Sequence, residues 1–287
     1  MRAVLCTAFE GVKSLAIGET SEPDPKPDEV LIDVHAASVS YMDYLMISGG
    51  YQMRPPLPYV PGTDAAGIVV AVGSQVDRFR PGDRVTCEGW YGGFAEQMTA
   101  KASRTSRLPD NVDFDVGSTV LHIYLTAYYT LVDRARVEPG ETVLVTGASG
   151  GVGLACIELA HLLGARVIGA VGSAAKAAIV HEYGADAVIN YSGEDVRERV
   201  KALTAGEGLD VCVDNVGGAL FGTLARLMRW KGRLLPIGFA SGEVPSLPMN
   251  LPLLKNYSHR WCLHRRLGGT LSGSEFTRCR QGLAMGQ

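Results

Sequence analysis

The feature that most constrains the fold is an alternation of strand-like and helix-like segments that begins near residue 141. Four strand–helix units follow one another, and a last apolar segment, GRLLPIG, closes the series. Alternation of this kind favours a parallel sheet covered by helices on both faces. A run of such units is typical of a doubly wound α/β fold.

The first unit carries the glycine-rich segment VLVTGASGGVG, Val143–Gly153. Its apolar and β-branched residues form a strand, and its glycines permit a tight turn that brings backbone N–H groups to a pyrophosphate. A helix begins at once, so that its positive end faces the phosphates. A glycine turn without a ligand is the alternative. The strand, turn, helix and following units together predict a dinucleotide-binding Rossmann domain.

The end of the second strand bears on the choice of dinucleotide. An NAD site usually has an acidic residue about 20 residues after the glycines, but here that position is Ser173, at the end of VGS. Ser173 can donate to a 2′-phosphate, Lys176 can supply charge, and Tyr191 can cover the adenosine end. Lys176 as a plain solvated helix residue is the alternative. The missing acid predicts NADPH as cofactor.

The rest of the chain divides by pattern. Residues 1–118 contain short apolar runs between Gly, Pro and Asp turn signals, which predict a mostly-β domain. Helical spacing begins after about residue 118, so the Rossmann domain is predicted to span 119–258. Residues 259–287 hold five arginines and one acidic residue without sustained periodicity. They are predicted to form an atypical tail.

The amino-acid composition limits the classes of protein to which this chain can belong. A formal net charge of −3 gives no broad attraction to nucleic acid or anionic membrane. No apolar stretch is long enough to span a membrane, and the first residues are too polar for a signal peptide. Six cysteines occur without a C-x-x-C pair. These observations favour a cytoplasmic enzyme with a small-molecule substrate.

Several segments, taken in order, resemble the quinone oxidoreductase (zeta-crystallin-like) branch of the medium-chain dehydrogenase/reductase superfamily. They are AASVSYMDYLMISGGYQMRPPLPYVPGTDAAGIVVAVG, FRPGDRV, GGFAEQ, YLTAYYTL, PGETVLVTGASGGVGLA, GADAVINY and GRLLPIGFASG. The resemblance implies a GroES-like catalytic domain followed by the Rossmann domain, with the active site between them. It also implies NADPH-dependent reduction of quinones or α,β-unsaturated carbonyl compounds.

The resemblance assigns cofactor residues by position. Those on the phosphate and adenosine side are Ser149, Gly150, Gly151, Val152, Ser173, Lys176 and Tyr191. Those on the nicotinamide side are Thr126, Asn215, Gly217, Gly238 and Phe239. Each has a structural alternative, since Asn215 and Gly217 also suit a strand-to-helix turn and Thr126 also suits a helix.

The substrate pocket departs from the family pattern. Ser40 stands where many quinone reductases have Asn, and Leu45 where many have Tyr; Tyr41 and Tyr44 lie beside these positions and are expected to compensate. Gly49–Gly50–Tyr51 matches an element of trans-2-enoyl thioester reductases, in which Tyr51 would be the proton donor. Packing beside the prolines is an equal alternative for Tyr51. A non-catalytic NADPH-binding protein is the third hypothesis.

Two further expectations come from comparison with relatives. Zinc alcohol dehydrogenases of the superfamily have a Cys near the Ser40 position and a His-Glu pair near Thr63–Asp64, so no metal is expected here. Relatives form homodimers through the strand that follows Asn256–Ser258. The segment HRWCLHRR offers that strand only a poor apolar face, which predicts a weakened dimer and an irregular tail beyond about His259.

Overall fold

The computed structural model describes residues 1–260. The chain divides into two compact units, Met1–His122 and the part from Ile123 onward. The division falls inside one helix, α2 (Phe114–Tyr128). Within residues 1–260, none of the helices combines the length and apolarity needed to cross a membrane.

The first unit is built mainly from strands, as predicted. Five of them form an antiparallel sheet in the order β6-β3-β4-β5-β7, and β1 pairs with β2 in a separate ribbon. The strands are β1 (Arg2–Cys6), β2 (Leu15–Glu19), β3 (Glu29–Ala37), β4 (Asp64–Val72), β5 (Arg84–Glu88), β6 (Gln97–Lys101) and β7 (Thr105–Arg107). The helical segments are α1 (Tyr41–Ile47) and the 3-10 turns Gly11–Ser14 and Ala102–Arg104.

The second unit is a six-stranded sheet in which every pair is parallel, in the order β10-β9-β8-β11-β12-β13. Its strands are β8 (Thr142–Thr146), β9 (Arg166–Val171), β10 (Ala187–Asn190), β11 (Leu209–Asp214), β12 (Met228–Pro236) and β13 (Ser258–His259). Its helices are α3 (Gly151–Leu162), α4 (Ala177–Glu182), α5 (Val196–Leu203), α6 (Gly218–Leu227) and α7 (Asn250–Lys255). A π-helical turn, Tyr129–Ala135, continues α2, and a 3-10 turn, Ala174–Lys176, precedes α4.

Both faces of this sheet are buried, as the apolar character of its strands predicts. Val143 and Val145 of β8 pack in one apolar cluster with Cys156 of α3. Leu144 points to the other face and packs in a second cluster with Leu224 of α6. Cys156 is fully buried in the first cluster as a small core residue.

One boundary prediction is wrong. The residue spacing of GALFGTLARLMRW predicts a helix over the whole segment, whereas α6 ends at Leu227 and Met228 begins β12. Met228 pairs with Leu209 at the start of β11. Pairing with a neighbouring strand has therefore overridden the local preference for helix.

The predicted tail begins on the sheet. His259 pairs with Leu234 of β12, and the Arg260 N–H donates to the Leu234 carbonyl at 3.1 Å. The rest of the predicted tail, 261–287, lies outside the described residues, and the weakened dimer stays a prediction.

Candidate cofactor and active site

The predicted cofactor residues of the second unit follow the ends of its parallel strands. The carboxyl ends of parallel strands share one edge, and doubly wound sheets bind ligands where the strand order reverses, here between β8 and β11. In spatial order, the edge carries Tyr191 after β10, Ser173 and Lys176 after β9, Ser149–Val152 after β8, Asn215 and Gly217 after β11, and Gly238 and Phe239 after β12.

The glycine loop after β8 has the geometry that a pyrophosphate requires. Gly147 has a φ of +58°, and Gly150 caps α3 without a side chain. A Cβ on Gly153 would lie 2.3 Å from the Gly147 carbonyl oxygen, so only glycine fits there. The first-turn amides of α3 have no acceptors within the helix, and its positive end faces the loop. These features fit a dinucleotide phosphate.

The end of β9 is free of acidic side chains from Gly172 to Lys176. Ser173 is partly exposed and Lys176 is exposed. The Tyr191 phenol lies over this segment, since a Cβ on Gly172 would be 3.1 Å from Tyr191 Oη. Burial, and then the Asp214 carboxylate, raise the pKa of Tyr191, so its hydroxyl stays protonated. A hydroxyl, an ammonium and a phenol thus border the predicted 2′-phosphate position.

Sequence reasoning missed a buried carboxylate that organises this edge. Asp214 is fully buried and accepts hydrogen bonds from Thr146 Oγ1 at 2.6 Å and from the N–H groups of Val216 and Gly217 at 3.1 and 3.2 Å. Asn215 Nδ2 donates to the Thr146 carbonyl at 2.8 Å. Asp214 therefore joins the ends of β8 and β11. The only signal in the sequence was that β8 and β11 each end in a polar residue, Thr146 and Asp214.

The two predicted nicotinamide loops lie against each other. The Ala240 N–H donates to the Asn215 carbonyl at 3.1 Å, and the Ser241 N–H donates to the Val216 carbonyl at 3.0 Å. A Cβ on Gly217 would lie 2.9 Å from the Phe239 ring. Phe239 also borders a mainly apolar cavity of about 570 Å³, whose other lining residues are Phe221, Pro236, Val244, Pro245, Leu247, Met249, Pro252 and His259.

Thr126 lies on α2 close to the glycine loop. A Cβ on Gly151 would be 2.8 Å from Ile123 Cδ1, which places this part of α2 against the start of α3. Thr126 is one helical turn after Ile123 and is buried. Its carbonyl accepts a hydrogen bond from Thr130 Oγ1 at 2.7 Å. Its predicted place beside the nicotinamide remains a prediction.

The predicted substrate residues of the first unit lie on and after α1. Ser40 caps α1 in a capping box with Asp43. The exposed rings of Tyr41 and Tyr44 stack with their centroids 6.1 Å apart, and Tyr44 borders an open groove of about 730 Å³. Tyr51 packs against the apolar cluster that contains Tyr59. That contact fits the packing alternative for Tyr51, and its catalytic role remains a prediction.

The first unit also contains a group of ionisable side chains that sequence reasoning missed, here called the Asp64 cluster. It consists of Asp43 on α1, Asp64 on β4, Glu88 on β5 and His122 on α2. Burial raises the pKa of Asp64 to about 7, and the negative charge of Glu88 adds to this while His122 opposes it. His122 Nδ1 lies 3.6 Å from a Glu88 carboxylate oxygen. No regular spacing in the sequence connects these residues.

The described part of the chain has no set of three or more His, Cys, Asp or Glu side chains grouped to hold a metal ion. Ser40 and Thr63, at the positions where zinc enzymes of the superfamily carry Cys and His, present hydroxyls 3.4 Å apart. Cys6, Cys87, Cys156 and Cys212 are buried free thiols.

Comparison with known proteins decides the family. The alcohol dehydrogenase GroES-like domain matches residues 26–110, and the zinc-binding dehydrogenase family matches residues 151–270. The quinone oxidoreductase-like protein 2 homolog of Nematostella vectensis is 40% identical over 260 residues, which are 90% of this chain and 70% of that protein. The chain belongs to the quinone oxidoreductase branch of the medium-chain dehydrogenase/reductase family.

Other members of the quinone oxidoreductase branch support this family assignment. Human quinone oxidoreductase is 36% identical over 240 residues, which are 83% of this chain and 73% of that protein. The crystal structure of Escherichia coli quinone oxidoreductase complexed with NADPH superposes with a TM-score of 0.88 at 30% identity, covering 99% of this chain and 86% of that one. The predicted family, the two-part fold class and membership of an oxidoreductase family are thereby confirmed.

Proposed function

We propose that this quinone oxidoreductase family member transfers a hydride from NADPH to quinones or α,β-unsaturated carbonyl compounds. The observation that carries the proposal is the acid-free end of β9, where Ser173 and Lys176 share a sheet edge with the glycine loop. The Escherichia coli relative crystallised with NADPH supports the cofactor. The relatives named quinone oxidoreductase support the class of acceptor.

NADPH, when bound, supplies the hydride. The chain contributes binding and orientation: amides at the start of α3 hold the pyrophosphate, Ser173 and Lys176 hold the 2′-phosphate, and the loops at Asn215 and Gly238 flank the nicotinamide. Positioning the reactants is the main catalytic contribution expected of such a protein. A quinone or enone delocalises the negative charge that hydride addition creates, so this chemistry needs little Lewis-acid assistance.

Turnover assays test the proposal directly. NADPH oxidation would be measured with a quinone, an enone and a trans-2-enoyl thioester, alongside NADPH fluorescence in the protein without acceptor. We expect turnover with the quinone or the enone. Turnover with the thioester alone would favour the reductase alternative. Bound NADPH that is oxidised by none of the three would favour a non-catalytic binding protein.

Replacing Lys176 by Ala is expected to weaken NADPH binding by about tenfold and NADH binding very little. The reason is that an ammonium–phosphate contact is charge-assisted and exists only for the 2′-phosphate. Dissociation constants from fluorescence titration measure both effects. Lys201→Ala, which removes an exposed lysine paired with Glu198 on α5, is the matched control. Equal losses for both cofactors would contradict the assignment.

Purified protein is expected to contain no stoichiometric zinc, and a chelator is expected to leave turnover unchanged. Ser40 and Thr63 offer hydroxyls where zinc enzymes of the superfamily offer a thiolate and an imidazole, and hydroxyls are poor zinc ligands. Elemental analysis and assays before and after dialysis against a chelator measure this. One zinc per chain, or activity lost to the chelator, would refute it.

A further inference from the structure

Reduction of a quinone or an enone consumes a proton as well as a hydride, and the cofactor does not supply that proton. The first unit holds ionisable groups that the hydride transfer leaves unused, the Asp64 cluster. Asp64 and Asp43 are 1% and 3% exposed. One carboxylate oxygen of each, Oδ1, is buried without a hydrogen-bond partner among the described residues. A buried carboxyl with an unsatisfied oxygen calls for a functional explanation.

Two hydroxyls connect these carboxyls. Thr63 Oγ1 lies 2.9 Å from Asp64 Oδ2, and Ser40 Oγ lies 3.4 Å from Thr63 Oγ1. Ser40 Oγ in turn lies 2.7 Å from Asp43 Oδ2, which also accepts from the Ser40 N–H at 2.7 Å. A hydroxyl is both donor and acceptor, so a chain of this kind can pass a proton in either direction.

Burial decides where a proton can enter and leave this row of hydrogen-bonded groups. Thr63 is fully buried, as is Asp64, whereas Ser40 is partly exposed and stands at a predicted substrate position. At the other end, the side chains of His122 and Glu88 keep 22% and 15% exposure. The row of hydrogen-bonded groups from Ser40 to Asp64 is therefore accessible at Ser40 and, at its other end, on the side of His122.

We propose that Asp64 stores the proton of the reaction and delivers it to the acceptor through the hydroxyls of Thr63 and Ser40. The inference rests on the proposed function. Ser40, which meets the acceptor, is the catalytic residue of this route. Thr63 and Asp64 act through it and are positioning residues.

As the acceptor gains the hydride, Ser40 Oγ gives it a proton; Ser40 takes the hydroxyl proton of Thr63, and Thr63 takes the carboxyl proton of Asp64. In the structure Thr63 Oγ1 donates to Asp64 Oδ2. Protonation of Asp64 reverses this hydrogen bond, so that the carboxyl donates to Thr63 Oγ1 and the proton passes between the same two atoms. Asp64 is left as a carboxylate and regains a proton from water on the side of His122. One hydride and one proton are consumed per turnover.

The surrounding charges suit this role. The groups facing Asp64 are Glu88 and the Cys87 thiol on β5, Asp43 on α1 and His122 on α2. Burial, with Glu88 and Asp43, favours the protonated form of Asp64, whereas His122 and the hydrogen bond from Thr63 favour the carboxylate. Burial by itself lowers the pKa of His122, but Glu88, Asp64 and Asp43 raise it overall. The carboxylates around His122 thus favour its protonated form more than burial disfavours it.

The matched pair Thr63→Val and Thr63→Ser tests the route. Valine has nearly the same volume as threonine but lacks the hydroxyl, whereas serine keeps it. We expect Thr63→Val to lower kcat by about 100-fold, the usual scale for loss of general acid catalysis, with KM for NADPH unchanged. Thr63→Ser should stay close to the unmodified protein. The unmodified protein should also lose kcat above about pH 7 and show a normal solvent isotope effect.

A second measurement does not depend on turnover. Carbon-13 NMR of the aspartate carboxyls, in the protein without cofactor, should show one signal that titrates near pH 7 and is absent from Asp64→Asn. An Asp64 signal that titrates below pH 5 would overturn the proposal even if Thr63→Val fails to fold. Turnover of Thr63→Val equal to that of Thr63→Ser would overturn the route and leave hydride transfer standing. Absence of turnover in the unmodified protein would overturn both.

Discussion

Alanine in place of Gly153 is expected to lower the affinity for NADPH by about 100-fold or more, equivalent to roughly 3 kcal/mol. Its Cβ would lie 2.3 Å from the Gly147 carbonyl oxygen and 2.9 Å from two backbone atoms of Ala148. These are backbone atoms and cannot move aside as a flexible side chain can. The whole turn would have to shift, and its amides would leave the pyrophosphate position.

Gly222→Ala is the matched control, because both glycines lie in helices of the second unit. The nearest atom to a Cβ on Gly222 is Arg226 Nη1 at 3.5 Å, the end of a flexible side chain. This substitution is expected to stabilise the protein by about 0.5–1 kcal/mol through helix propensity. Fluorescence titration and thermal unfolding compare the two. Unchanged NADPH affinity in Gly153→Ala would show that the glycine loop does not hold the cofactor.

The free energy of unfolding is expected to fall by about 3–4 kcal/mol as the pH rises from 4 to 8, because of Asp64. Its pKa is raised by burial to about 7 in the folded protein, against about 3.9 in an unfolded chain. The folded state thus binds the proton more tightly, so the stability present below pH 4 is lost as pH rises through 7. The pKa of His122 is also raised in the folded protein. His122 therefore adds to the loss of stability as the pH rises above its ordinary pKa of 6.5.

Denaturant unfolding at pH 5 and pH 8 measures this slope. Asp64→Asn should remove most of it and should be more stable than the unmodified protein at pH 8. Asp110→Asn, at an exposed position of the same unit, should leave the slope unchanged. The interval from pH 5 to pH 8 lies above the pH range in which carboxyl groups with lowered pKa values change the free energy of unfolding. Asp28 and Glu96 are two such groups. A flat profile would mean that Asp64 is ionised throughout.

The second unit was the more predictable part of the chain, for a physical reason. Its strands are buried on both faces and its helices have apolar stripes, so local pattern and tertiary structure agree. The glycines of Val143–Gly153 are required by backbone geometry and hence stand out in the sequence. Once the strand order is of the doubly wound type, Ser173, Asn215 and Phe239 must follow strands that end at one edge.

The features that were missed depend on contacts between distant segments. The end of α6 at Leu227 follows from the pairing of Met228 with Leu209, and helix propensity does not report strand pairing. Asp64 and His122 are 58 residues apart, from Asp64 on β4 to His122 on α2. No feature of the neighbouring sequence distinguishes a carboxyl group that will be buried from one that will be exposed. Asp214 was passed over for the same reason, although its neighbour Asn215 was chosen.

The Asp214 carboxylate also has a consequence for the order of folding events. Its hydrogen bond to Thr146 joins residues 68 apart in the sequence. Contacts of large sequence separation form late, because loop closure must precede them. We therefore expect the turn after β8 to reach its final geometry only when β11 has docked beside β8. A ligand that recognises that turn would distinguish the completed sheet from a partly assembled one, and would stabilise only the former.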